Sequence, residues 1–270
     1  MKISGESRGI CGSLTPILER LPVLSCYAKT RGWHYVICWL HRFTGIGLIM
    51  MWGIHMYTLT LLPSSGVYNA IVSPFFLFLA WVSSLVVSFH GLNGCRLILY
   101  ELFGRRDDEG MIRWILGLSA AYAATVGLMM MMKNQRVSAF FFWLTASFFG
   151  AIAAYIVASR IWEKRHSVLW KLQRISGAFL LFTVPAYFLF LYLNPGQAIG
   201  VHEAIVQVQS IFTRLATLTL ATSALYHAGY GLFSIAADYT LGITRAGMTA
   251  LIVVVIAVLG VLTFRLILFV

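Results

Sequence analysis

Two histidines of this 270-residue chain stand in matched surroundings. His90 opens His90-Gly91-Leu92-Asn93-Gly94 and His227 opens His227-Ala228-Gly229-Tyr230-Gly231, so each is followed four residues later by a glycine. Positions four apart share one face of a helix. Each imidazole therefore has, one turn along, a place with no side chain. A porphyrin pressed edge-on between helices needs both features: an imidazole to reach its iron and a gap to admit the ring. Two such ligands leave the iron no open position, which suits electron transfer and argues against oxygen chemistry. Taken singly, either histidine reads more simply as a core residue bonded to backbone; the recurrence of the pattern favours ligands.

Eleven residues after each histidine stands a carboxylate, Glu101 and Asp238. Eleven steps of 100° return to within about 20° of the starting face, so each acid lies on the stripe of its histidine, three turns further on. Asp238 is followed by Tyr239, and a phenol beside an acid at a water boundary can hydrogen-bond a carbonyl and deliver a proton to it. An aromatic-belt Tyr beside a solvated Asp is the equal alternative from spacing alone. Arg42, Arg96 and Arg174 lie six or seven residues inside the ends of apolar runs, as snorkelling charges or as anion and carbonyl binders. His41 is a further polar group of this kind. Arg214 receives no functional assignment.

The elements that must position these residues are membrane helices. The chain is 60% hydrophobic and only 11% charged, with mean hydropathy +0.83, where soluble domains carry about a quarter charged residues. That composition excludes a soluble enzyme, a disordered tail and a disulfide scaffold. The four cysteines have no metal spacing. Seven runs are long enough to span a bilayer, at 35–62, 71–103, 112–132, 138–160, 168–193, 204–236 and 247–269. Runs of this length are not barrel strands, so the fold class is an all-α membrane protein of seven transmembrane helices.

The net charge of +11 is split between apolar runs rather than gathered on one face, so it reads as orientation and not as nucleic-acid binding. Thirteen Lys and Arg fall on the side of the N-terminus and three, Lys133, Arg136 and Arg265, on the other. The split predicts a cytoplasmic N-terminus and an outer C-terminus. Residues 1–34 have no apolar core ahead of a cleavage site; they read as a cytoplasmic segment, not a secretory signal. It could touch a soluble partner or anionic lipid headgroups.

An internal repeat organises the runs. Arg42-Phe43-Thr44-Gly45 and Arg174-Ile175-Ser176-Gly177 both read Arg-x-(Ser/Thr)-Gly, 132 residues apart, and the two histidine motifs lie 137 apart. The near-equal offsets divide the chain into a first three-helix unit at 35–132 and a second at 168–270. A linking helix at 138–160 returns the chain across the membrane, which makes the two units parallel repeats.

His41-Arg42-x-Thr-Gly with His90-x-x-x-Gly-x-Arg96 resembles the larger membrane-anchor subunit of succinate dehydrogenase, complex II. Tyr226-His227-x-x-x-Gly with Asp238-Tyr239 resembles the smaller anchor, so the chain looks like the two anchors fused in one cytochrome b subunit of the bacterial cytoplasmic membrane. The resemblance implies one haem b with His90 and His227 as axial ligands and His41, Arg42, Arg96 and Arg174 near its propionates. It implies a quinone site at Arg42 and Tyr239, supported by Asp238, with Cys38 where relatives often carry a quinone-contacting Ser. Leu97 stands where many relatives have a second His, and Gln173 replaces the His of His41-Arg42. The partners implied are a flavoprotein subunit and an iron–sulfur subunit on the cytoplasmic face. Succinate oxidation belongs to them, because this chain has neither a strand-bound G-x-G-x-x-G nor clustered cysteines.

Three rivals have distinct signatures. A di-haem anchor of the menaquinol:fumarate reductase kind would use His55 for an outer haem, but the repeat puts Tyr187, not a histidine, opposite it. His202 could substitute only from a helix end. A transporter would break its helices near the midplane, where Pro185 is the only deep proline. A haem-free structural anchor would be colourless.

Overall fold

The computed structural model describes residues 22–61, 74–104, 107–132, 138–193 and 211–269. Among them there are seven α-helices and no strand: α1 (Pro22–Leu61), α2 (Pro74–Phe103), α3 (Asp108–Met132), α4 (Ala139–Ile161), α5 (Val168–Leu193), α6 (Ile211–Tyr239) and α7 (Gly242–Phe269). The fourth and fifth match the expected runs to within a residue. Charge and turn residues end those runs sharply, and lipid leaves no alternative for the backbone between them.

Helix α3 starts at Asp108, four residues before the expected 112, and three further boundaries differ from expectation, each for a local reason. Helix α1 starts at Pro22, not near 35; proline suits a first helical position, and the thirteen residues before Tyr35 add about 20 Å of helix ahead of the apolar run. Helix α6 reaches Tyr239, past the expected 236, so Asp238 and Tyr239 ride on its last turn. Helix α7 begins at Gly242, whose φ of 54° allows a two-residue reversal after α6. Gly104, at φ 69°, ends α2 in the same left-handed way, its N–H bonding the Tyr100 carbonyl at 2.9 Å. Residues 1–21, 204–210 and His202 lie outside the described residues.

Six helices are long and apolar enough to cross a membrane, the exception being α6. Thr213, Arg214, Thr217, Thr219, Thr222 and Ser223 lower its hydropathy. Two of its hydroxyls are turned on its own backbone: Thr217 bonds the Thr213 carbonyl at 2.8 Å and Thr219 the Leu215 carbonyl at 2.9 Å.

Contacts divide the chain at Phe43–Thr44, inside α1, into two units. In the first, Trp39 packs between Tyr35 and Phe43, and the Arg42 guanidinium lies 6.0 Å from the Trp39 ring centre. In the second, α4 packs along α5 through Trp143, Ala146 and Phe190 at one end and Val157, Ile161 and Ala178 at the other. Between these clusters Gly150 admits α5 closely, for a Cβ there would come within 2.9 Å of Phe179. Helix α4 is thus an integral wall of the fold. Large apolar side chains stand outward on α3, α4 and α7, including Trp114, Phe141, Phe148, Val254 and Val261. Such a surface is suited to lipid.

Candidate functional site

His90 on α2 and His227 on α6 face each other: their ring centres are 6.4 Å apart and their planes cross at 86°. Each ring is seated on a glycine of the other motif. A Cβ at Gly45 would lie 2.9 Å from His90 Cε1, and one at Gly177 would lie 3.0 Å from His227 Cε1. The Arg-x-(Ser/Thr)-Gly sequences therefore hold the histidines as well as supplying arginines. The residue before Gly45 contributes too, since Thr44 Oγ1 is 3.2 Å from His90 Nδ1. In the tautomer that donates Nδ1–H to Thr44, Nε2 keeps the lone pair a metal would use. Of the glycines four residues beyond the histidines, Gly231 meets Gln173 Nε2 at 3.8 Å from its virtual Cβ.

The polar residues beyond His90 on α2 are deeply enclosed. Asn93 is fully buried and neither amide atom has a protein partner. Arg96 is 1% exposed, with its guanidinium 5.6 Å from the Tyr100 ring centre. Arg174 is engaged by an acid: its Nε and Nη2 donate to the two Glu101 carboxylate oxygens at 2.7 and 2.6 Å. That bidentate pair links α2 to α5 across 73 residues and was not legible from spacing. Lys164 adds to it by donating to the Glu101 carbonyl at 2.5 Å.

At the end of α6, Asp238 and Tyr239 are exposed, Tyr239 by 52%. Arg245, noticed in the sequence only as a charge, caps this end by donating to the Ala237 and Thr240 carbonyls at 2.7 and 3.0 Å. Cys38, His41 and Arg42 belong to the N-terminal unit and are half-buried there. Toward the opposite end, Tyr187 Oη lies 3.5 Å from His55 Nε2, so the tyrosine expected opposite His55 does face it. Helix α5 runs unbroken through Pro185, whose carbonyl accepts from the Tyr122 hydroxyl at 2.7 Å. Among the described residues no three His, Cys, Asp or Glu side chains gather as a metal site.

A family model described as succinate dehydrogenase/fumarate reductase transmembrane subunit matches the chain twice, over residues 20–129 and 157–264. The first match carries α1 to α3, and the second the end of α4 with α5 to α7. No curated protein and no solved structure is similar enough to match.

Proposed function

The chain belongs to the family of succinate dehydrogenase/fumarate reductase transmembrane subunits, and from that premise we propose that it is the haem b-carrying membrane anchor of a succinate:quinone oxidoreductase. In this reading two three-helix units, each equivalent to one anchor subunit, are joined in one chain through α4. Seven crossings put the N-terminus in the cytoplasm of a bacterium and the C-terminus outside its inner membrane. The flavoprotein and iron–sulfur subunits dock on the cytoplasmic face.

The observation that carries the reading is the meeting of His90 and His227. An imidazole nitrogen lies about 1.2 Å from its ring centre and binds a first-row metal at about 2 Å, so two imidazoles sharing one iron would hold their centres no more than about 6.4 Å apart. The ring centres have that separation. The residues present therefore fit a bis-histidine haem. The repeat adds support: His90 and His227, and likewise His55 and Tyr187, are matched positions of the two units, and in both cases the matched residues meet each other. Self-pairing of that kind is what a twofold relation between halves produces.

When bound, a haem would supply a one-electron store for quinone reduction. His41, Arg42, Arg96 and Arg174 would hold its propionates; Arg174 gives two of its five N–H donors to Glu101 and keeps three. At the quinone, Tyr239 donates its O–H to a carbonyl, Arg42 supplies a charged donor, and Cys38 offers a thiol. Reduction to the quinol takes two electrons, delivered by the iron–sulfur partner from succinate oxidation, and two protons, which Asp238 relays from the aqueous side. A single haem is favoured over two because the Tyr187 hydroxyl sits at the His55 nitrogen an outer iron would need.

Purification of the assembly through a tag on this chain tests the proposal. Flavin, iron–sulfur clusters and succinate-dependent quinone reduction are expected to copurify with it. A chain that purifies alone from cells making both partner subunits, with no such activity, contradicts it.

A further inference from the structure

One end of α2 is gripped twice by the second half of the chain, and neither axial ligation nor quinone binding calls for it. Both grips are on Glu101. Its carboxylate takes Arg174 of α5 in a fork of 2.7 and 2.6 Å, and its main-chain carbonyl takes Lys164 at 2.5 Å. That carbonyl is among the last four of α2, which have no partner within the helix. Lys164 belongs to the turn between α4 and α5, a connection that exists only because the two halves are one chain.

The cation is braced from its other side as well. The Arg174 guanidinium lies 4.6 Å from the Trp170 ring centre, and Trp170 stacks on His166 of the same turn at 4.1 Å. Lys171 reaches back to the Trp162 carbonyl and ring, fastening the turn to the start of α5. A bidentate pair that is 25% and 30% exposed, with one partner held by a ring, loses little freedom on forming and is worth more than a free surface pair.

Glu101 and His90 lie on one stripe of α2. A rotation of α2 by about 20° would carry a group 6 Å from its axis through about 2 Å, whereas metal–ligand distances tolerate about 0.2 Å. We propose that Glu101 is a positioning residue, through which Arg174 and the α4–α5 turn fix the rotation of α2 so that His90 stays opposite His227. The linking segment is then a clamp on the haem site. This inference rests on the haem reading above.

The test uses the full chain with its partner subunits in detergent. Glu101→Gln keeps the Lys164 contact and removes the ion pair; Glu101→Asp is the conservative control. Glu101→Gln is expected to lose roughly five- to tenfold of the haem retained after extraction and to shift the potential of what remains, with Glu101→Asp much closer to wild type. In a thermal-unfolding cycle, Glu101→Gln with Arg174→Gln should cost little more than either change alone. Wild-type haem retention and potential in Glu101→Gln, or additive thermal losses, overturn the clamp. A wild-type protein without haem bands removes the haem reading and the positioning role together, and the thermal cycle then decides whether the ion pair exists at all.

Discussion

The glycines that confine the two imidazoles are Gly45 and Gly177, one in each arginine motif, and their lack of a side chain is a packing requirement. A methyl at either position would come about as close to a Cε1 carbon as 2.9 or 3.0 Å, so the ring must move. Overpacking of that sort costs about 1–3 kcal/mol. Gly45→Ala and Gly177→Ala are each expected to lower haem per chain by about threefold or more while the protein still inserts and assembles; unchanged haem content in both would mean the contacts do not hold the ligands. Tyr239 can be isolated from the haem. Tyr239→Phe should leave the visible spectrum intact and lower quinone reduction by about tenfold or more, with succinate oxidation by a soluble dye unaffected. Equal loss with dye and quinone would point instead to a defect in the partner subunits. At this scale the histidines were legible because their motif recurs, and Glu101 was legible as a carboxylate on the His90 stripe. Its partner was not, since Arg174 lies 73 residues away and nothing in either local pattern names the other.

At the scale of elements, hydropathy located the helices and polarity blurred their ends. Helices α4 and α5 were readable almost to the residue because charged and turn-forming residues bound their apolar runs sharply. Helix α1 extends further toward the N-terminus than its apolar run, because helix formation does not stop where hydropathy does. Helix α6 is the opposite case: hydroxyls bonded to its own carbonyls let a polar sequence stay helical, so composition undervalues it. The close approach of α4 to α5 makes its own prediction. Gly150→Leu places a branched side chain where even a Cβ meets Phe179 at 2.9 Å and Thr183 at 3.0 Å. A destabilisation of about 1–3 kcal/mol, read as a lower melting temperature in detergent, is expected. An unchanged melting temperature would mean that α4 is loosely held and serves only to return the chain.

The whole molecule combines a net charge of +11, a family match over each half and many outward-facing apolar side chains. Under the proposed reading, two parallel units need a return crossing, which puts the two termini on opposite sides of the membrane. Cysteine labelling in sealed vesicles should find an engineered thiol near residue 3 protected from one face and a thiol after Val270 protected from the other; both on one side would exclude seven crossings. The claim beneath all of these is that His90 and His227 bind one iron from opposite faces. The measurement that bears on it most directly is a reduced-minus-oxidised spectrum with haem quantified per chain, for the wild type and for His90→Ala and His227→Ala. The account predicts sharp b-type bands at one haem per chain, lost in each variant. Bands that survive either replacement, or a wild-type chain with no haem, would contradict it.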